Sequence, residues 1–284
     1  MQALLQSIRD HYEALPQAQK TVANFVAEHY RKIPFYTVAA LAEEIGVSDT
    51  SIIKFCMAIG YDGYGSLKRT LAEQAQADIT LYGRLESGLS ELHGDDTLER
   101  TAAAETANIQ AVLTHPMNRG QFKTLVDRVL AARTIFVGGF RTSAVPADYL
   151  LWGLEQQGLA TVAITPGSGD IPDRLCRLGP EDLLVVFSFI RCARESVAAV
   201  ETARAAGAFT VAVTDLPLSP LAQLADLTFH CPAGSLNYVP SFSGAMTLIH
   251  ALLTATSATR VDAVKDSLQR LEKVLSRFDT YHKA

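Results

Sequence analysis

The chain has 284 residues, 48% of them apolar and 19% charged, with a formal net charge of −5. That length allows one large or two ordinary domains, and the apolar content excludes a chain that is disordered as a whole. No long uncharged apolar run has membrane-type flanks, and Cys56, Cys176, Cys192 and Cys231 lack metal or disulfide spacing, so we expect a reduced, cytoplasmic protein with no metal, cofactor or membrane partner.

Residues 1–77 read as helical throughout. Leu4, Leu5 and Ile8 begin an apolar stripe, and Pro16 opens a second helix where its missing N–H costs nothing. Val22, Phe25, Val26 and Tyr30 give that helix its buried face, and Ile33-Pro34 ends it. The stretch Thr37–Phe55 carries the strongest functional signal. A short helix from Val38 to Ile45 places Val38, Leu41 and Ile45 on one face, Gly46 is its left-handed cap, and Ser48 is the N-cap of a second helix. Helix, tight turn, helix is the arrangement that sets a second helix into the DNA major groove. Ser48, Asp49, Thr50, Ser51 and Lys54 then lie near the start of the reading helix. Short hydroxyls there suit base edges or phosphates, and Lys54 suits a phosphate or a guanine. The same spacing also fits a plain helical hairpin in a bundle. A turn at Gly60–Gly65 leads to a helix over Ser66–Ala77, whose Lys68 and Arg69 join Lys54 as candidates for a positive face. Residues 1–77 carry seven Lys/Arg against eight Asp/Glu, so DNA affinity would have to come from a local face or from doubled contacts in a dimer.

Residues 78–117 read as a linker with a helix around Leu98–Leu113, and a helix over Gln121–Ala131 opens the second domain, 118–284. From Thr134 the rhythm changes. Short apolar runs at Ile135–Val137, Thr161–Ile164, Leu183–Phe187, Thr210–Val213 and Leu227–Phe229 alternate with helical stretches such as Ser143–Gln156 and Arg194–Ala206. Strands buried on both faces and separated by helices predict an α/β domain with a five-stranded parallel sheet flanked by helices. Ligands of such sheets sit outside the carboxyl ends of the strands. The loops there are Gly138–Ser143, Thr165–Asp170, Ser188–Glu195 and Thr214–Pro220, rich in hydroxyls and arginines just ahead of helix N-termini. Free N–H groups and the helix dipole favour an anion at such places, and ordinary helix capping is the bland alternative for each hydroxyl. Gly138-Gly139 does not make a dinucleotide fingerprint. No Ser/His/Asp set, metal cluster or phosphate loop is present, and His250 in its apolar helix reads as a packed core histidine.

Both halves together resemble the RpiR-type (MurR/RpiR) family of bacterial regulators, which join an N-terminal helix-turn-helix domain to a C-terminal sugar isomerase (SIS) domain. In the first half Thr37–Ala42, Gly46–Phe55 and Ile59–Tyr64 carry the resemblance, with Ser51 and Lys54 where the family usually has Thr and Arg. In the second half Gly207-Ala208, Val211–Thr214, Ser219–Leu221 and Ala225-Asp226 carry it. The ligand loops depart from the family pattern. Gly139 and Ser143 match, but Arg141 stands for a glycine; Ser188 and Glu195 match, but Ile190, Arg191 and Ala193 stand for Ser, Gly and Thr.

The resemblance implies a non-enzymatic regulator that binds operator DNA as a homodimer or homotetramer. Its DNA-binding candidates are Ser48, Asp49, Thr50, Ser51, Lys54 and Lys68. It would sense a small anionic metabolite, a sugar phosphate or acidic sugar derivative, through Gly139, Arg141, Ser143, Ser188, Arg191, Glu195, Thr214 and Ser241. Two rivals stay open: an SIS-type isomerase, for which Glu195 is the only matched acid, and a sugar-sensing adaptor that binds proteins. The apolar helices around Tyr149–Leu154 and Thr247–Leu253 carry more hydrophobic residues than one buried face requires, which points to a subunit interface.

Overall fold

Hydroxyl N-caps start the third and fourth helices, and buried stripes place all of the first five. In the computed structural model these are α1 (Gln2–His11), α2 (Gln17–His29), α3 (Val38–Ile45), α4 (Asp49–Ala58) and α5 (Tyr64–Ile79), within a unit spanning residues 1–87. The structure describes residues 2–30, 33–90, 92, 95–165, 167, 170–216 and 219–280. The Thr37 hydroxyl accepts from Ala40 N (3.1 Å) at the start of α3, and the Ser48 hydroxyl accepts from Ser51 N (3.2 Å) at the start of α4. Gly46 between them has φ 75°, a conformation open to glycine without a Cβ clash, and its N–H bonds back to the Ala42 and Glu43 carbonyls. Val22, Val26, Ile33, Leu41, Ile52, Phe55 and Leu71 form the fully buried centre of this unit. On α5, Tyr64 donates to the carbonyls of Ile33 and Tyr36, and Lys68, one turn on, donates to Tyr36 O at 2.8 Å. These bonds pin the turn that leads into α3.

The second unit spans residues 88–284. Beyond α6 (Leu81–Ser90), the helix expected around Leu98–Leu113 is α7 (Thr97–Thr114), which lies within this unit. Asn108 and Val112 of α7 are buried, Asn108 Nδ2 donates to Gly234 O (2.7 Å), and Gly244 lets α13 (Ser243–Thr259) approach the α7 backbone. α8 starts at Pro116, five residues ahead of the expected Gln121, because proline fits the first helical position.

Five parallel strands follow: β1 (Ile135–Gly139), β2 (Thr161–Ile164), β3 (Leu183–Ser188), β4 (Phe209–Thr214) and β5 (Leu227–His230), in the order β2-β1-β3-β4-β5. Alternate residues point to opposite faces, so two cores form. Ile135, Val137, Leu183, Val185, Phe187, Val211, Val213 and Phe229 pack with α7, α8, α9 (Ala144–Gln156) and α13. Phe136, Leu184, Val186 and Ala212 pack with α10 (Ile171–Leu175), α11 (Arg194–Ala205) and α12 (Pro220–Leu224). The chain ends in α14 (Val261–Arg277).

His250 is a correction to the sequence reading. It is exposed, because α13 turns Ala245, Leu248, Ile249 and Leu252 toward the core and the 100° step per residue carries position 250 off that face. Its ring meets Tyr149 edge-on at 5.5 Å. Among the described residues no helix is long and apolar enough to cross a membrane.

Candidate functional site

In the first unit, α4 buries Ile52, Phe55 and Cys56 and turns Asp49, Thr50, Ile53, Lys54 and Met57 outward. Ser48 and Ser51 share a hydroxyl contact of 2.9 Å at its N-terminus, so both hydroxyls are partly spent on capping. Thr50 and Lys54 lie one turn apart on the exposed face. Lys68 is half-buried, and at least one of its three donors holds Tyr36 O. Burial, followed by the neighbouring Cys56, pushes the Tyr64 phenol up to about 12, so it stays a proton donor to its two carbonyls at neutral pH.

In the second unit the strand order places the candidate ligand edge. β2 lies on one side of β1 and β3 on the other, so successive connections diverge between β1 and β3, the switch point outside whose carboxyl ends ligands of such sheets bind. Gly139 pairs in register with Phe187, and the two loops that leave these strands are those carrying Arg141 and Arg191. The Ser143 Oγ accepts from Phe189 N (3.3 Å), tying the first loop to the second. The Asp215 carboxylate accepts from Ile190 N (2.8 Å), tying the second to the loop after β4. The Asp215 carbonyl lies 2.9 Å from His230 Nε2 at the end of β5. Sequence reasoning missed His230. Its signal, one of two polar residues in the short strand Leu227–His230, was too weak to stand out.

The backbone of both loops is unusual. Arg141 has φ 55° and Ile190 φ 66°, left-handed values that cost an L-residue energy and are rare for a β-branched one. Arg141 therefore keeps a conformation that suits glycine while adding an exposed guanidinium. Gly139 is required for space, because a Cβ there would run into the Ser143 carbonyl and Ala147. Arg191 and Glu195 are exposed, and α11 begins after Ala193 with no side-chain cap. Ser196 in the first turn of α11 is buried, with its hydroxyl unpartnered among the described residues.

The remaining candidates divide. Ser188 and Thr214 are buried register partners on β3 and β4, and the Thr214 hydroxyl accepts from Leu216 N (3.3 Å). Ser219 is an ordinary N-cap, accepting from Ala222 N at 3.1 Å. Ser241 is turned toward α7, where its hydroxyl donates to the Glu105 carboxylate and lies 3.0 Å from the Ser243 hydroxyl. Pro166, Ser168, Gly169, Pro217 and Leu218 of the loops after β2 and β4 lie outside the described residues.

Residues 2–78 match the helix-turn-helix domain of the rpiR family, and residues 129–256 match the SIS domain. The chain belongs to the RpiR-type family of transcriptional regulators. This RpiR-type chain is 28% identical over 235 residues to the uncharacterized HTH-type transcriptional regulator YfhH of Escherichia coli K12, covering 79% of this chain and 78% of that one. The sugar isomerase domain of an RpiR transcription factor from Sphaerobacter thermophilus superposes with a TM-score of 0.59 at 25% identity, over 63% of this chain and 99% of that domain. The Vibrio vulnificus NanR protein, solved in complex with ManNAc-6P, shares the fold over 97% of this chain and 98% of its own, with a TM-score of 0.59 and 20% identity.

Proposed function

We propose that this RpiR-type regulator binds operator DNA through α4 and that a small anionic carbohydrate derivative, bound at the β1/β3 switch point, changes that affinity. The observation that carries the anion reading is the pair of exposed arginines, Arg141 and Arg191, on the two loops that leave β1 and β3. Guanidinium groups pair phosphate or carboxylate oxygens bidentately, and the uncapped start of α11 adds N–H groups and the positive end of a helix dipole. The left-handed backbone at Arg141 and Ile190 adds support, since strain of that kind collects at functional loops. NanR binds its phosphosugar on the same fold, but the anion reading rests on this chain's own arginines.

A regulatory rather than catalytic role fits the acid available. Moving a proton between neighbouring sugar carbons needs a base held at those carbons. Glu195 is exposed on the first turn of α11, with no hydrogen bond to a described residue to orient it. Regulation requires the effector to bind the DNA-competent and DNA-incompetent states unequally, and DNA must then shift effector affinity by the same factor.

The test screens phosphorylated and carboxylated sugars by thermal shift on the full chain, then by gel shift on an operator duplex. A stabiliser is expected that changes DNA affinity and whose effect vanishes in Arg141→Ala and Arg191→Ala. Hits that persist undiminished in both variants, or that are all neutral sugars, refute the anion site.

A further inference from the structure

α4 has a completed core face, yet it leaves large apolar side chains in water. Ile52, Phe55 and Cys56 are fully buried, while Ile53 is 36% and Met57 57% exposed on the outward side. Ile53 and Met57 are one turn apart, about 6 Å along the axis, with Lys54 and Thr50 on the same side of the helix. Among the described residues of the first unit, the buried core does not include either side chain.

The chemistry of the major groove supplies a use for them. Its base edges are lined by hydrogen-bond donors and acceptors, and the one apolar group they offer is the thymine C5 methyl. We propose that Ile53 and Met57 are specificity-determining residues that contact thymine methyl groups, with Lys54 at their flank on a phosphate or guanine. Met57 is unbranched and flexible enough to follow a methyl across neighbouring base steps, whereas Ile53 is stiff and fixes one position. The inference rests on α4 being the helix that enters the groove. Lys54 favours DNA over a protein partner on this face, because it borders the apolar pair and lysine is depleted from the cores of protein interfaces, while Asp49 lies at the opposite edge.

The experiment selects duplexes from a randomised library with the full-length chain. Each thymidine of the enriched half-site is then replaced in turn by deoxyuridine, which removes the methyl and changes nothing else. Loss of a contacted methyl is expected to weaken wild-type binding about fourfold, the ratio that burial of one such group gives. That loss should disappear in Ile53→Ala or Met57→Ala and persist in Lys54→Ala. Met57→Leu, which keeps an apolar tip, should retain it. Both positions are exposed, and unchanged thermal melts of the variants exclude misfolding as the cause.

Tight binding that no deoxyuridine substitution weakens overturns the inference, as does a methyl effect undiminished in both alanine variants. A change in oligomeric mass in Met57→Ala with no change in sequence preference also overturns it, in favour of a protein contact. Failure of the library to enrich any duplex is a different failure: it removes α4 from DNA recognition altogether.

Discussion

Replacing Arg141 by glycine should raise stability and abolish the effector response together. Arg141 sits at φ 55°, where an L-residue loses about 1–2 kcal/mol to contact between its Cβ and the backbone. Glycine removes that cost but returns about 0.5–1 kcal/mol through the greater freedom of its unfolded chain. The net gain is roughly 0.5–1 kcal/mol, or about 1–4 °C in the melting temperature of a unit of this size. Arg141→Ala keeps the Cβ in the same conformation and should gain nothing. The two variants thus separate strain from charge. For the wild-type chain, an anion present at a hundredfold excess over its dissociation constant should add roughly 2.7 kcal/mol, a rise of about 5–10 °C. Neither variant should show most of that rise. Differential scanning calorimetry on the full chain, with and without the stabilising anion, reads both effects. A glycine variant that melts no higher than the alanine variant would sink the strain argument. A full anion response in either would show that Arg141 does not hold the ligand.

Lys54→Ala should weaken operator binding by about 1–3 kcal/mol if Lys54 reads a base, or reduce the salt dependence by roughly one unit if it meets a phosphate. An unchanged affinity and salt slope would take it out of the interface. On α9, Val145 and Trp152 stay exposed beside Tyr149, a stripe of i, i+4, i+7 spacing that we expect at a subunit contact. The full chain should run as a dimer or larger by light scattering and Trp152→Arg should shift it toward monomer; an unchanged mass would acquit α9. Asp182 is buried, and burial alone would raise its carboxyl. Hydrogen bonds from Arg133 and from the Gly179 and Thr134 N–H groups, with the Arg133 charge, outweigh that and hold it below the ordinary 3.8. A depressed folded value means that this carboxylate stabilises the fold above its unfolded value and is lost as pH falls through the lower folded one. Asp182→Asn should therefore flatten the loss of stability below about pH 4, and a parallel acid titration in the variant would contradict that assignment.

Much of the architecture was legible in the sequence because it is set by local rules. The pattern around Gly46 and Ser48 foretold α3, the turn and α4, since a left-handed glycine and a hydroxyl N-cap act on atoms within four residues of themselves. The five β-branched runs foretold five strands, because side chains buried on both faces need no knowledge of which neighbours cover them. Where the rules stop being local, the sequence stops deciding. The order β2-β1-β3-β4-β5, and with it the switch point between β1 and β3, depends on pairing among strands up to 50 residues apart, which no periodicity encodes. The same limit separated Ser219, a cap that serves its own helix, from Ser143, whose partner is the N–H of Phe189 on another loop. It also decided His250 and Ser241. An apolar stretch around position 250 reads as buried until the helix is docked and its phase against the sheet is known. Ser241 faces Glu105, 136 residues away in sequence, only because α7 packs within the second unit. Backbone caps and alternation are fixed by chain chemistry; which loops meet at an edge is fixed by how the layers pack.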